Sequence, residues 1–472
     1  MTESELTLMR ETWSVILNRS MSSSAYKYQY LDGFSPHLLS DRPQRKDTLL
    51  YDKNELRALV IRGKPNQNGG NPMRVLIPNH FPLEGSGSGI YTQNIAREIT
   101  KKGHKALAIT PAHEMQHGYP FEVRSILFTP EGVEGESEPR LPFNFPCFTT
   151  HPLSTVTFGD LDADQRQAYV QAFQAAIDSA VLDWNPDLIH AQHLWVTGYA
   201  AHKAEMPYVV TAHGTDLMGF RKYEDWKEMA LEGARHTQTV IAISKQVARD
   251  TIALYGIPEE RVRIVMNGFD EDIFHVMSVD RSKLMAKYDL PKGPGHLITF
   301  VGKLTEFKGV DVLLDAARIY ERELGDVMTL IIGDGALRLP LEEQTERLGL
   351  DGVHFLGHQP QRAVAEILNS ADISTIPSRV EPFGLVAVEA LACGTPVVAT
   401  NEGGLPDFVD ERVGALVDVG NAAALADAII SEIRSNSKES KGSFAAAYAL
   451  KDFSWSGQVN KMIDIYEEAL QT

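Results

Sequence analysis

Cysteine is scarce: the 472-residue chain holds only Cys147 and Cys393. Two thiols build neither a disulfide framework nor a four-ligand zinc site. That usage fits a reducing, cytoplasmic compartment. Basic residues are outnumbered, with 45 Lys and Arg against 63 Asp and Glu and a formal net charge of −18. So acidic a chain lacks the positive field of a nucleic-acid binder and is a poor docking face for anionic lipid. Lys101, Lys102, His104 and Lys105 are the local exception and read as a solvated helix end favoured by the helix dipole. No run reaches the roughly 18 apolar residues of a membrane span. The first residues break their apolar character with Glu3 and Glu5, unlike a secretory signal. Short-period repeats and low-complexity segments are also missing.

What is present is ordinary globular material, 43% hydrophobic and 23% charged. At roughly 100–200 residues per domain, the length predicts two or three domains. Residues 1–72 stand apart. Thr2 and Glu5 have capping-box spacing before Leu6, Met9, Trp13, Ile16 and Leu17. Residues 18–48 read as loop, Leu49–Ile61 as one more short element, and Gly63–Pro72 as a linker. This extension is expected to be an ordered arm or a self-association segment.

From Arg74 short apolar runs alternate with amphipathic stretches. Arg74–Ile77, Ala106–Ile109, Leu188–His190, Tyr208–Thr211, Thr239–Ile243 and Val262–Val265 read as strands. Helical patterns lie near 89–102, 163–183, 224–234 and 244–255. The alternation restarts at Leu297–Val301 and continues through Thr329–Ile332, Val353–Leu356, Ile373–Ile376 and Pro396–Ala399. Helices near 309–323, 339–348, 361–369, 383–392 and 421–434 lie between them, and a last one spans about 456–470. The fold class is therefore α/β, with two Rossmann-like, doubly wound parallel sheets facing a cleft. The expected boundaries are 73–278 for the first domain, joined by a closing helix from 455–472, and 279–454 for the second. Ligands of such sheets sit at strand carboxyl ends, so the chemistry is expected between the domains.

Four segments carry candidate chemistry. Gly85-Ser86-Gly87-Ser88-Gly89 precedes a helix, whose free N–H groups and bare backbone suit a diphosphate. Its spacing is not a dinucleotide fingerprint. Lys303 and Lys308 follow a buried strand and place two ammonium groups where a leaving diphosphate could be neutralised. No Walker A glycine precedes them. Glu381 and Glu389 are eight positions apart around a very apolar helix. A carboxylate on a buried helix needs a salt-bridge partner or ligand hydroxyls. His213, in Thr211-Ala212-His213-Gly214-Thr215-Asp216, lies just past a strand, where it can meet a sugar hydroxyl or a reacting centre. Asp216 could orient that ring or bind acceptor. Two other patterns are decoys. Asp160-Leu161-Asp162 reads as helix capping instead of a metal site. His113-Glu114-Met115-Gln116-His117 has the wrong glutamate placement for a zinc helix and reads as a surface loop.

Taken together, these segments resemble a retaining glycosyltransferase of family 4 with the GT-B architecture. The likeness rests on Glu381…Glu389, on the run to Gly403-Gly404-Leu405-Pro406, on Asn267-Gly268-Phe269-Asp270, on Gly333-Asp334-Gly335 and on Phe355-Leu356-Gly357. It extends from Met73 to the C-terminus. It implies that Gly87 and Gly89 lie beside the donor diphosphate, which Lys303 and Lys308 clamp. Lys303 departs from the family's usual Arg, keeping the charge but not the bidentate fork. Glu381 and the N–H groups of Phe383, Gly384 and Leu385 would hold the donor sugar, Glu389 the ribose, and His213 the donor sugar on the acceptor side. The implied enzyme is a retaining hexosyl- or N-acetylhexosaminyltransferase without cofactor or metal. Its donor would be a nucleoside-diphosphate sugar, by preference UDP-GlcNAc or UDP-glucose. The segment around His213 resembles that of enzymes transferring N-acetylglucosamine to malate, and the acidic first domain favours a small soluble acceptor. The competing readings are a GDP-sugar-dependent transferase of polysaccharide or glycolipid synthesis and a non-catalytic sugar-nucleotide sensor.

Overall fold

The structure, a computed structural model, describes residues 72–132, 140–148, 151–291 and 293–471. The elements expected within residues 1–71 lie outside the described residues. Seven parallel strands form the first sheet: β1 (Arg74–Pro78), β2 (Lys105–Ala112), β3 (Glu122–Leu127), β4 (Leu188–Gln192), β5 (Tyr208–Ala212), β6 (Thr239–Ala242) and β7 (Val262–Ile264). Their order is β3-β2-β1-β4-β5-β6-β7. Six parallel strands form the second: β8 (His296–Val301), β9 (Val327–Ile332), β10 (Val353–Gly357), β11 (Ile373–Ile376), β12 (Val397–Thr400) and β13 (Gly414–Val417), in the order β10-β9-β8-β11-β12-β13.

Central strands such as β5, buried along their whole length, read as continuous apolar runs because helices cover both faces. Each sheet reverses its winding once, between β1 and β4 and between β8 and β11. Those reversals open a crevice at the strand carboxyl ends. In the first sheet the crevice is edged by Asn79 and His80 after β1 and by His193 after β4. In the second it is edged by Lys303 after β8 and by Ser378 after β11.

The described structure adds elements that the apolar pattern did not show. Strands β3 and β13 and helices Val196–Lys203, Thr215–Lys222, Arg281–Lys287 and Ser437–Phe453 were not expected. The pattern near 224–234 divides into a short 3-10 turn, Glu224–Trp226, and a helix, Lys227–His236. The helix carrying Glu389 begins at Leu385, two residues after the expected start. Gly384 ahead of it is left-handed, with φ of 102°, so regular helix cannot begin sooner.

The chain crosses between the units twice, and the crossings lie side by side. Phe269 N–H donates to Phe453 O at 3.0 Å, and Phe269 bridges Ser454 in parallel. The last helix, Trp455–Ala469, then packs on the first unit against helix Gly87–Lys101 and β5. Tyr91 meets the edge of Trp455 at 5.1 Å between ring centroids, and Lys102 Nζ donates to Ser456 Oγ at 3.0 Å. No helix among the described residues is long and apolar enough to cross a membrane.

Candidate active site

Lys308 and Glu381 come together by backbone geometry. Gly309 holds φ at 64°, and a Cβ there would sit 2.1 Å from Pro377 O. Only glycine allows that approach, and it carries Lys308 over the end of β11. Lys308 Nζ then lies 2.6 Å from Glu381 Oε2. Ser378 Oγ donates to the same oxygen at 3.2 Å. Thr400 Oγ1 fixes the loop by donating to Ser378 O at 2.7 Å. Beyond Glu381, Leu385 opens helix Leu385–Ala392. The N–H groups of Phe383, Gly384 and Leu385 donate to no carbonyl among the described residues. The Leu385 amide is one of the first-turn donors that a helix leaves without a partner, and those of Phe383 and Gly384 lie just ahead of it.

Glu389 is buried on the second turn of that helix. Burial, and then the negative charge of Asp270, push its carboxyl up to about 8. Asp270 itself pairs with Arg97 Nη1 at 2.9 Å. Glu389 therefore lies at the seam between the units, beside the Asn267–Asp270 segment.

The two units meet above this pair. A Cβ on Gly214 would lie 2.9 Å from Pro382 Cβ, so the loop after β5 touches the loop that carries Glu381. Asp407 adds a second link. Its Oδ2 accepts from Lys245 N–H at 2.7 Å, and its Oδ1 lies 3.6 Å from Lys245 Nζ. The charge of Lys303 is felt in the first unit as well. Burial pushes the Cys147 thiol up to about 12 against the opposing charge of Lys303. Burial lowers the His151 imidazole too, and Lys303 adds to that shift against the hydrogen bond to Glu84 O.

His213 is nearly buried beside this seam. Its Nε2 lies 2.9 Å from Gln192 Oε1. Tyr91 meets its ring edge-on at 4.8 Å between centroids. Burial pushes the imidazole down to about 3, so it is neutral. Asp216 requires a correction. It is fully buried, and its two oxygens accept from Leu194 N–H at 2.9 Å and His213 N–H at 3.1 Å. It holds the loop backbone and does not orient the ring or face an acceptor. Burial pushes its carboxyl up to about 6, opposed by those backbone N–H groups.

The two glycines of the first loop differ. Gly87 is exposed and begins helix Gly87–Lys101, with open space where a Cβ would stand. Gly89 is packed so that a Cβ would lie 2.1 Å from Pro82 O. Its lack of a side chain serves internal packing. Ser86 caps the helix by accepting from Gly89 N–H at 3.0 Å.

The decoys are structural. Asp162 forms a capping box with Gln165 at the start of helix Ala163–Asp183, and Asp160 accepts from Thr157 N–H and Oγ1. His113 lies in the loop after β2, with Nε2 2.8 Å from Asn144 Oδ1.

Sequence reasoning missed a polar layer beneath His213. His190 Nδ1 lies 2.6 Å from Tyr466 Oη, and its Nε2 lies 2.6 Å from Thr211 Oγ1. Gln192 and His193 continue the layer, both fully buried. The available signal was period two: His190 and Gln192 share one face of an otherwise apolar strand.

Two family descriptions match the chain in sequence. Glycosyltransferase Family 4 matches residues 85–273, and Glycosyl transferases group 1 matches residues 280–446. A D-inositol 3-phosphate glycosyltransferase of Corynebacterium jeikeium is 31% identical over 431 residues, 84% of this chain and 97% of that protein. The chain belongs to glycosyltransferase family 4. Another D-inositol 3-phosphate glycosyltransferase, from Mycobacteroides abscessus, is 33% identical over 336 residues, 66% of this chain and 73% of that protein. Among solved structures, sucrose-phosphate synthase of Thermosynechococcus elongatus matches with a TM-score of 0.65 at 20% identity, covering 84% of this chain and 98% of that one. The Anabaena protein HepE, solved with UDP and glucose, also scores 0.65, at 22% identity over 84% of this chain and all of that one. These structural likenesses establish the GT-B fold. The family membership makes the chain a glycosyl-transferring enzyme.

Proposed function

We propose that this enzyme transfers a hexosyl or N-acetylhexosaminyl group from a UDP-sugar to a hydroxyl of a small soluble acceptor, with retention of anomeric configuration. The observation that carries the reading is the Lys308–Glu381 pair, 2.6 Å long, at a strand carboxyl end facing the His213 loop. Cation, carboxylate and unengaged helix amides form one set at the seam between the units. Arrival of a diphosphate would draw Lys308 from Glu381, leaving the carboxylate to accept from donor-sugar hydroxyls. Lys303 would join Lys308 on the phosphates, with the N–H groups at Gly87 facing them. The amides of Phe383, Gly384 and Leu385 would complete the sugar site. Glu389 would take the ribose hydroxyls, and His213 would contact the donor sugar from the acceptor side.

In the step itself, the bond from the anomeric carbon to the β-phosphate oxygen breaks. The acceptor oxygen bonds to that carbon from the same face. Its proton passes to the departing phosphate oxygen. The lysines and amides would stabilise charge growing on that phosphate. Contact of the two units would limit water and thereby hydrolysis.

The UDP preference is supported by HepE, which was solved with UDP and with UDP-glucose. The acceptor class is supported by relatives described as D-inositol 3-phosphate glycosyltransferases. The test is the melting temperature with UDP and with GDP at equal concentration, since a ligand that binds the folded state raises it. Stabilisation by UDP alone is expected. Stabilisation by GDP alone would move the enzyme to a GDP-sugar donor, and stabilisation by neither would remove the donor assignment. Product formed with the matching donor, and D-inositol 3-phosphate as the first acceptor, would then report the anomeric configuration by NMR.

A further inference from the structure

We infer that Gln192 is a positioning residue that locks His213 in the Nε2–H tautomer, so that Nδ1 presents a lone pair to the substrate. The argument rests on hydrogen-bond polarity. Gln192 Nε2 donates to His190 O at 3.2 Å. A carbonyl oxygen only accepts, so the amide is oriented with Oε1 on its other side. Oε1 lies 2.9 Å from His213 Nε2. That oxygen also only accepts, so His213 Nε2 must carry the hydrogen. Reversing the amide would lose the bond to His190 O and set two acceptor oxygens against each other, Oε1 and His190 O. The neutral imidazole then has its lone pair on Nδ1.

No group among the described residues is hydrogen-bonded to Nδ1. The surroundings do not oppose this state. His193 faces His213 at 4.6 Å between ring centroids, and the edge of Tyr91 at 4.8 Å. His190 lies behind Gln192, and Asp216 is engaged with backbone N–H groups. None of these supplies a second charged partner for the ring.

The consequence for recognition rests on the proposed function. A substrate group facing His213 must be a hydrogen-bond donor. A hydroxyl fits, whereas an ether or a carboxylate at that position would bring lone pair against lone pair. Gln192 acts at one remove, through His213, and touches no substrate itself.

The experiment is two-bond 1H–15N correlation NMR on the full chain labelled in histidine, with His213 assigned by its loss in His213→Gln. A single Nε2–H signal pattern for His213 is expected in the native protein. An Nδ1–H pattern would overturn the inference without any further variant. Gln192→Leu removes the accepting oxygen. It should release the tautomer and lower kcat by about tenfold or more, the scale of one buried hydrogen bond left unmade. An unchanged His213 spectrum in that variant would also overturn the inference. Gln192→Glu keeps an accepting oxygen and adds charge. His213 should keep Nε2–H at high pH and become imidazolium as pH falls, losing its lone pair. Turnover of Gln192→Glu should therefore rise with pH where that of the native enzyme is flat. Native-like kcat in a Gln192→Leu protein whose tautomer has changed would uphold the tautomer assignment and reject His213 as a substrate contact. That outcome separates the two readings.

Discussion

At the scale of single residues, Lys308 and Glu381 are each other's partner before any donor arrives. Lys308→Ala should lower kcat by on the order of a hundredfold or more, as expected for one group stabilising a charged leaving group. Far-ultraviolet circular dichroism should stay native, because the Lys308 side chain is partly exposed. Native turnover in this variant would reject the diphosphate role. Gly87 and Gly89 supply a contrast. Gly89→Ala should destabilise the fold by about 1–3 kcal/mol, since the new methyl meets backbone. Gly87→Ala should leave the melting temperature unchanged and weaken UDP binding. The reverse ranking would reject the assignment. Glu389 carries a pH signature. Its folded carboxyl is raised to about 8, and ribose hydroxyls would donate best to the ionised form. UDP affinity should therefore increase as pH rises toward about 8, and Glu389→Gln should flatten that dependence. Lys303, Lys308, Glu381 and His213 stand out in the sequence as candidates because they follow strand ends, and Glu389 because it is a carboxylate on a very apolar helix. Asp216 was misread, because spacing cannot show that backbone N–H groups from two segments occupy its carboxylate.

At the scale of elements, the central strands were legible because burial on both faces leaves an unbroken apolar run, as in β5 and β8. The edge strands were not. In β3 the first residue is exposed and the next two are half-buried, and β13 has one buried residue followed by three half-buried ones. Neither shows the run that marks a strand covered on both sides. Helix Ser437–Phe453 escaped for a related reason. Its buried positions include Ser437, Gly442 and two alanines, so it packs closely without a strong apolar stripe. The closing helix carries a buried polar tie into the first sheet, from Tyr466 to His190, beside a surface ion pair of Glu468 with Arg263 in β7 at 3.9 Å. Tyr466→Phe should leave the ring's packing in place and remove that bond. We expect a loss of stability of about 1 kcal/mol, measured by urea denaturation. An unchanged midpoint would show that His190 does not need Tyr466.

At the scale of the whole molecule, the first unit keeps four histidines neutral in its interior. His80, His190 and His213 are pushed down to about 3, and His193 well below its ordinary value, in each case by burial first. Their folded values lie below the unfolded one of 6.5. Their contribution to stability is therefore present above about pH 6.5 and lost as pH falls toward 3. Asp216, Glu321 and Glu389 are raised and work in the opposite sense, being favoured at low pH. With four buried rings against these three carboxyls, stability by chemical denaturation should fall between about pH 7 and about pH 4.5. A flat profile would mean that these rings find protons, or water, in the folded state. The two-unit plan was legible from the restart of strand–helix alternation at Leu297. The contacts that join the units, Gly214 on Pro382 and Lys245 on Asp407, depend on tertiary approach and leave no periodic mark.

The paired crossings at Phe269 and Ser454 also set an order of birth. Helix Trp455–Ala469 completes the first unit, yet it leaves the ribosome after the entire second unit. Emerging chains fold domain by domain from the N-terminus. The nascent first unit must therefore wait, with the flank of Tyr91 uncovered, while its neighbour is made. A released chain ending just before Trp455 would hold the whole second unit beside a first unit still missing its last wall.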